Sequence, residues 1–327
     1  MVHSNNMISV VTPSFNQGRF ILKTIESVRD QGVDNIEHIV VDGGSTDETV
    51  AILESFPHLR WTSEPDRGQA DALNKGLSRA RGQWIVWINS DDYLLPGALE
   101  KFVTFIETQP GARFVYSNCT FVDENNRTVE KRRACYDPGC FCYWWKEGGA
   151  GFAQPGTFFH RSLWLEYGPF NVALQYMMDY DFWLKLHGRV RFYHLDEDLA
   201  VYRLHRQAKT FHGWRPFVEE GIQITRKHRT GQGCWLRCKT AWMLKYMYGM
   251  QLMCEGMRSW ERGSKKEAWK LWVRSWAANP AAFVSLTHMR FRLRQITGPR
   301  LYARLCRKVP DLQKLEKTLR HDAYKKI

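Results

Sequence analysis

Residues 84–99 read WIVWINSDDYLLPGAL. Five apolar residues, Trp84 to Ile88, run without a polar break into Asn89-Ser90-Asp91-Asp92, and the chain then turns at Pro96-Gly97. An apolar run of that length, bounded by turn residues, reads as a strand buried on both faces. Two carboxylates leaving the end of such a strand repel each other, and burial raises the cost of their charge. Two arrangements relieve this. Either a cation lies between the pair and a bound partner, or one Asp caps a helix over 94–106.

The same pattern recurs upstream. Ile8 to Thr12 reads as a strand stopped by Pro13, and Phe20 to Arg29 carries Ile21, Leu22, Ile25 and Val28 at helical spacing. Glu37 to Val41 reads as a second strand ending in Asp42-Gly43-Gly44-Ser45. Ser45 or Thr46 is placed to cap the next helix, with Asp47 and Glu48 suited to its positive end. Leu59 to Trp61 makes a third strand, Asp71 to Arg81 a helix that buries Ala72, Leu73 and Leu77, and Gln83 to Ile88 the fourth strand. Alternating strands and helices predict an α/β fold with a mostly parallel central sheet. Ligands on such sheets bind beyond the carboxyl ends of the strands, which groups Pro13-Ser14, Asp42-Gly43 and Asn89 to Asp92 around one crevice.

Downstream, 113–116, 191–194 and 199–203 read as strands and Tyr180 to Leu186 as a helix. The glycine- and aromatic-rich stretch 138–157 suits a loop lining a pocket. Beyond about 210 only helical patterns follow, so a catalytic domain over 1–210 and an all-α region over 211–327 are expected. Trp260 to Pro280 has the spacing of a lone tetratricopeptide-like unit.

Charge divides the chain at nearly the same place. Residues 1–205 hold 20 Lys+Arg against 26 Asp+Glu, whereas 206–327 hold 27 against 8, a net +19. With Trp235, Trp242, Trp269, Trp272 and Trp276, that basic segment suits lipid head groups or another phosphate-bearing partner; a solvated helical surface is the plainer explanation. The stretch 240–254 is short and holds Lys245, so it reads as a core or interfacial helix and not as a membrane span. The eight cysteines include no C-x-x-C pair, and the start MVHSNNMISV lacks a secretory pattern, so free thiols in a reducing compartment are expected. A P-loop, a G-x-G-x-x-G turn, a G-x-S-x-G elbow and an H-E-x-x-H helix are all absent, which excludes the chemistries they carry.

Four stretches carry a resemblance. ISVVTPSFNQGRFILKTIESVRDQ (8–31), HIVVDGGSTDETVAIL (38–53), EPDRGQADALNKGLSRARGQWIVWINSDDYLLPGAL (64–99) and MDYDFWLKL (178–186) resemble, in this order, the family-2 glycosyltransferases of the GT-A fold. The likeness covers about residues 7–205 and implies transfer from a nucleotide-diphospho-sugar, by default a UDP-sugar. The family's D-x-D element holds Mn2+ or Mg2+ at the donor diphosphate. Here it reads Asn89-Ser90-Asp91, so the first acidic position is replaced, Asp91 keeps its place, and Asp92 supplies a second carboxylate for the metal. By the same resemblance Thr12, Pro13 and Ser14 pack on the base, and Asp42 bonds base or ribose, with Gly43 where a second Asp often follows. Asp66 and Gln69 lie in the loop beneath the donor, with Asn74 and Lys75 as further contacts that solvent exposure explains almost as well.

Asp179-Tyr180-Asp181 resembles the E-D-x-D element, with Met178 in place of Glu. Asp179 then corresponds to the general base and Asp181 supports the acceptor side; without the family, Asp179 reads as a helix N-cap. Tyr202 to His205 resembles the closing Y-R-x-H segment, which makes His205 a third metal or diphosphate contact and Arg203 a donor-binding cation. Gln154 to Thr157 matches the loop near the acceptor, where Trp144 and Trp145 could stack on a sugar face.

Inversion is the family habit. The basic aromatic tail motivates a glycan or lipid-linked acceptor in envelope or exopolysaccharide synthesis, with a cytoplasmic enzyme peripheral to the inner membrane face through its C-terminal region. The rival reading is a non-catalytic module that binds nucleotide-sugar, or grips nucleic acid with the tail. Asp42, Asp91, Asp92 and Asp179 together argue against it and disfavour nucleic acid as a partner.

Overall fold

In the computed structural model, four parallel strands form the first half of the sheet, in the order β3-β2-β1-β4: β1 (Ile8–Ser14), β2 (Ile36–Asp42), β3 (Arg60–Ser63) and β4 (Trp84–Trp87). Their connecting helices are α1 (Gly18–Arg29), α2 (Thr49–Glu54) and α3 (Gln69–Arg79). The structure describes residues 7–138, 141, 151–205, 207–209, 214–228 and 262–279, with single residues and pairs between 242 and 260.

β1 does not stop at Pro13. Thr12 and Ser14 direct their backbone groups toward β2, where the Gly43 N–H donates to the Ser14 carbonyl at 2.8 Å. Val11 and Pro13 face the other way, and pairing with β4 ends at Val11↔Trp87. The N–H that proline lacks therefore has no ladder partner to lose.

Both faces of these strands are covered, which explains their unbroken apolar character. Ile8, Val10, Val86 and Ile88 share one buried cluster with Val28 of α1 and with Leu99 and Phe102 of α4 (Ala98–Thr108). Phe102 stacks on Phe158 at 4.4 Å, and burying such a ring contributes about 2–3 kcal/mol. On the opposite face α3 approaches so closely that a Cβ at Gly76 would lie 2.5 Å from Val11 Cγ1. Neither Ser45 nor Thr46 caps α2. Asp47 instead accepts from the Thr49 N–H at 3.0 Å and the Gly18 N–H at 2.9 Å, so one carboxylate serves the N-terminal turns of both α1 and α2.

The second half extends the same sheet with β5 (Tyr93–Leu94), β6 (Phe114–Val122), β7 (Thr128–Arg132), β8 (Thr157–His160) and β9 (Phe192–Arg203). The full order is β3-β2-β1-β4-β8-β6-β9-β5, with β7 paired on β6. β6 and β9 are parallel; the β4–β8, β6–β8, β6–β7 and β5–β9 pairs are antiparallel. The expected strands 191–194 and 199–203 are one strand, because the register against β6 jumps from Ser117↔Leu195 to Asn118↔Asp198. The bulge leaves Asp196 and Glu197 outside the ladder, and those two charges are what broke the apolar pattern. Pairing of β5 with the end of β9 sets the 89–92 turn against Arg203. α5 (Arg161–Tyr167) and α6 (Met178–Leu186) complete this part.

The chain divides into two compact units, 1–212 and 213–327. The second holds α7 (Trp214–His228) and α8 (Lys265–Ala278), and Met253, Ala268 and Trp272 form a small core there with Trp260. Among the described residues no helix is long and apolar enough to cross a membrane.

Candidate active site

The doubled acid is resolved by sending its members to opposite sides. Asp92 turns inward and is 2% exposed. Its Oδ1 accepts the Arg203 N–H at 2.9 Å and its Oδ2 the Asn89 side-chain N–H at 3.3 Å. Burial first, and then the charge of Asp91, push its carboxyl well above the usual carboxylate range. Thr24 of α1 clamps the turn by donating to the carbonyls of Ser90 at 2.9 Å and Asp92 at 2.6 Å. Asp91 remains half-buried, with its Oδ2 2.9 Å from His205 Nε2. The expectation that both acids hold a cation is corrected: Asp92 is enclosed by protein donors, and Asp91 pairs with His205. The His205 ring lies 4.5 Å from that of Phe20, and its Nδ1 is buried without a hydrogen-bond partner. The Arg203 guanidinium lies over the rings of Phe20 and Tyr93, at 4.8 and 5.4 Å, and its Nε is likewise buried and unpaired.

Asn89, standing where the motif has its first acid, is a hub. Its Oδ1 accepts from Gln69 Nε2 and Trp87 Nε1, both at 2.7 Å, while its Nδ2 donates to Asp92 and to Gln154 Oε1 at 3.0 Å. An aspartate would turn both donations into contacts between acceptors. Gln69 in turn accepts from Lys209 Nζ at 3.2 Å, and Lys209 also reaches the Gln175 carbonyl at 3.4 Å. A Cβ at Gly68 would lie 2.8 Å from Gln175 Oε1, so the segment leading into α6 rests on the N-terminus of α3.

At the end of β2, Asp42 is fully buried and takes four donors, the Gly44 and Ser45 N–H groups and the Ser45 and Ser63 hydroxyls, so its expected contact to base or ribose is corrected to one that holds the turn. Gly43 is required by Asp66, whose Oδ2 lies 2.8 Å from where a Cβ would stand. Asp66 also accepts the Gly68 N–H at 2.7 Å. Ser14 Oγ is buried without a partner. Two further expected donor contacts are corrected. Thr12 is enclosed, 3.0 Å from His38 Nε2, because alternation along β1 points it into the sheet; burial holds His38 down at a pKa of about 3. Lys75 is engaged by Glu64 at 3.1 Å and Asp71 at 3.7 Å on the α3 surface. Pro13 is buried beside them, and Asn74 anchors the Phe170 N–H and carbonyl at 2.9 Å each.

Asp179 lies half-buried in the first turn of α6, accepting the Tyr180 N–H at 2.7 Å; the N-cap is Met177. Asp181 does not face an acceptor. It is 1% exposed, with Oδ2 3.4 Å from Lys185 one turn on. Gln154 and Thr157 are also inside: Gln154 donates to the Trp87 carbonyl at 2.6 Å, and Thr157 donates to the Gln154 carbonyl at 2.7 Å. They brace the Asn89 hub instead of lining a sugar site. Trp144 and Trp145 lie outside the described residues.

The glycosyl transferase family 2 profile matches residues 9–163. The chain carries a family 2 glycosyl transferase domain and is a glycosyltransferase. An uncharacterized glycosyltransferase of Haemophilus influenzae is 27% identical over 231 residues, covering 68% of this chain and 76% of that protein. Among solved structures, residues 1–349 of Staphylococcus aureus TarS in complex with UDP align with a TM-score of 0.53 at 18% identity, over 73% of this chain and 69% of that one. The mannosyltransferase PcManGT of Pyrobaculum calidifontis, in complex with GDP-Man and Mn2+, aligns with a TM-score of 0.55 at 19% identity, over 91% and 81%. At these identities the likeness is one of fold, the GT-A type.

For the glycosyltransferase a divalent ion is the implied cofactor. Among the described residues no cluster of three His, Cys, Asp or Glu side chains could cage a metal alone. Asp91 and His205 bring one carboxylate and one imidazole within 2.9 Å, and the buried, unpartnered Nδ1 adds an unmet polar atom. That donor set fits a hard ion whose other positions come from diphosphate oxygens and water. Sequence reasoning missed Lys209, four residues past His205, and Phe15, 58% exposed directly after β1. An aromatic at a strand's carboxyl end was the available signal for Phe15; Lys209 had none.

Proposed function

We propose that this glycosyltransferase moves a sugar from a nucleotide-diphospho-sugar, UDP-sugar favoured, to a hydroxyl of a glycan or lipid-linked acceptor, with inversion and with Mn2+ or Mg2+ at the donor diphosphate. The observation that carries the reading is the Asp91–His205 pair, 2.9 Å apart, beyond the carboxyl end of β4. These two residues would hold the ion, which when bound supplies positive charge against the diphosphate leaving group. Asp179 takes the proton of the acceptor hydroxyl. The hydroxyl oxygen bonds to the anomeric carbon from the opposite face, the bond to the phosphate oxygen breaks, and its electron pair leaves with the nucleoside diphosphate. Arg203, its guanidinium fixed over Phe20 and Tyr93, adds standing positive charge beside Asp91. Gly43, Asp66 and Ser14 form the nucleotide end, with the enclosed Asp42 bracing the turn after β2 and with Pro13 and Gln69 behind them. The UDP complex of TarS favours a uridine donor, and the GDP-Man complex of PcManGT makes GDP-sugar its direct competitor. The +19 charge over 206–327 supports a peripheral place at the cytoplasmic membrane face, in envelope or exopolysaccharide synthesis.

Thermal unfolding with UDP, GDP, dTDP and ATP, each with and without Mn2+, tests this. UDP stabilises only with Mn2+, ATP does not, and D91N abolishes the effect. A metal-independent shift, or one that survives in D91N, removes the carrying pair; a larger shift with GDP reassigns the donor.

A further inference from the structure

We infer that α8 is an interfacial helix, and that Trp269, Val273 and Trp276 seat in an anionic bilayer surface. The inference deepens the membrane-facing part of the proposed function and rests on it. α8 has one face that is satisfied by protein. Ala268, Trp272 and Ser275 are buried, Trp272 lies on Trp260 with centroids 5.5 Å apart, and the Ser275 hydroxyl donates to the Gly249 carbonyl at 2.7 Å. A second apolar row lies about a quarter-turn away from that face. Trp269, Val273 and Trp276, spaced i, i+4 and i+7, are 56%, 61% and 56% exposed. Two indoles and an isopropyl group in one solvent-facing row are not scattered surface apolars; such a row marks a contact.

Charge chooses the occupant. Lys266 and Lys270 stand three residues before Trp269 and Val273, so a basic row lies alongside the apolar one, continued by Arg274. All three cations are exposed, and Arg274 donates to the Tyr248 hydroxyl at 3.1 Å. Indoles favour the head-group depth, and lysine stems lie along apolar surface while their ammonium groups reach phosphate. Trp269, Val273 and Trp276 together expose on the order of 400 Å2, well short of the roughly 800 Å2 per partner that a stable protein interface buries. An interfacial helix needs no such area, since apolar insertion and attraction to anionic lipid act together. The surrounding +19 segment adds to that attraction at a negative surface.

The experiment is co-sedimentation of the full chain with vesicles of phosphatidylcholine alone, or of phosphatidylcholine with 30% phosphatidylglycerol, in low and high salt. The wild type partitions to the anionic vesicles and is released by salt. K266Q/K270Q binds about 30-fold more weakly, and W269A/W276A at least about tenfold more weakly. K266Q/K270Q alters only exposed side chains and keeps the wild-type melting temperature, whereas W269A/W276A also removes the edge contact of Trp269 with Trp272 and is required to keep the wild-type circular dichroism; single substitutions replace any double variant that fails its control. Equal binding of both vesicle types by the wild type overturns the inference, as does equal binding by wild type and variants. Wild-type dimers that W269A/W276A converts to monomers would assign the row to a second copy and overturn it too. UDP-dependent stabilisation, measured on the same samples, separates the readings. Its loss with vesicle binding retained defeats the donor-site assignment alone, and vesicle binding lost with UDP retained defeats the α8 surface alone.

Discussion

Replacing Asn89 by Asp restores the acidic letter of the D-x-D motif, and the structure says it damages the protein. Asn89 Nδ2 donates to Gln154 at 3.0 Å and to Asp92 at 3.3 Å, and N89D replaces that donor with an oxygen. Two hydrogen bonds go, at about 1 kcal/mol each, and the buried acceptors left facing another acceptor add about 1 kcal/mol more. The total is about 3 kcal/mol. At about 2–4 °C per kcal/mol for a unit of this size, the melting temperature falls by about 6–12 °C at pH 7. Lowering the pH toward 5 recovers part of the loss, because the new carboxyl and Asp92 can then share a proton. Circular dichroism melts of wild type, N89D and N89A, each with and without Mn2+, measure this. N89A removes Oδ1 as well, so it also loses the bonds from Gln69 and Trp87 and melts no higher than N89D. If N89D melts within a degree of wild type, or melts higher once Mn2+ is added, Asn89 is a degraded metal ligand and the hub argument fails.

Three other outcomes follow from the geometry. D91N abolishes Mn2+-dependent UDP stabilisation, whereas D92N, which leaves an acceptor for the Arg203 N–H, retains it and melts within about 2 °C of wild type; isothermal titration with Mn2+ and UDP reads both. D179N lowers kcat by about 10²–10⁴ in donor turnover while UDP binding and melting temperature stay unchanged. His38 makes the fold acid-sensitive. Its pKa is about 3 folded against an ordinary 6.5, so the unfolded chain takes up a proton first as pH falls below 6.5. Between pH 7 and pH 5 this one group removes about 2 kcal/mol of stability, and urea melts of H38Q show a correspondingly shallower pH slope. An unchanged slope would mean that His38 titrates in the folded state.

Periodicity alone made most of the frame readable. The apolar runs 8–12, 37–41 and 84–88, each with a helical pattern after it, read as strands covered on both sides because each is five residues long, rich in Val, Ile and Trp and bounded by turn residues. The placing of Asp42 and Asp91 after the carboxyl ends of their strands came with that topology, and the structure sets Asp66 beside Gly43. Periodicity failed where pairing overrode it, at Pro13, which lies opposite Val41 of β2 but beyond the end of the β4 pairing, and at Asp196-Glu197, which a bulge absorbs.

Which atom of the site meets which partner was decided only in three dimensions. Asp91 and Asp92 are chemically identical neighbours, yet one meets an imidazole and the other an amide, 114 and 111 residues away. Thr12, Gln154 and Thr157 likewise carry suitable chemistry at matching positions, and tertiary contacts spend them inside the protein, while Lys75 is held by Glu64 and Asp71 on the α3 surface and the buried Asp181 faces Lys185 one turn on. Alternation and spacing are local properties, so a sequence holds them in plain view. The choice between a buried amide and an open crevice depends on segments brought together by β5 and β9, and it exists only once the sheet has closed.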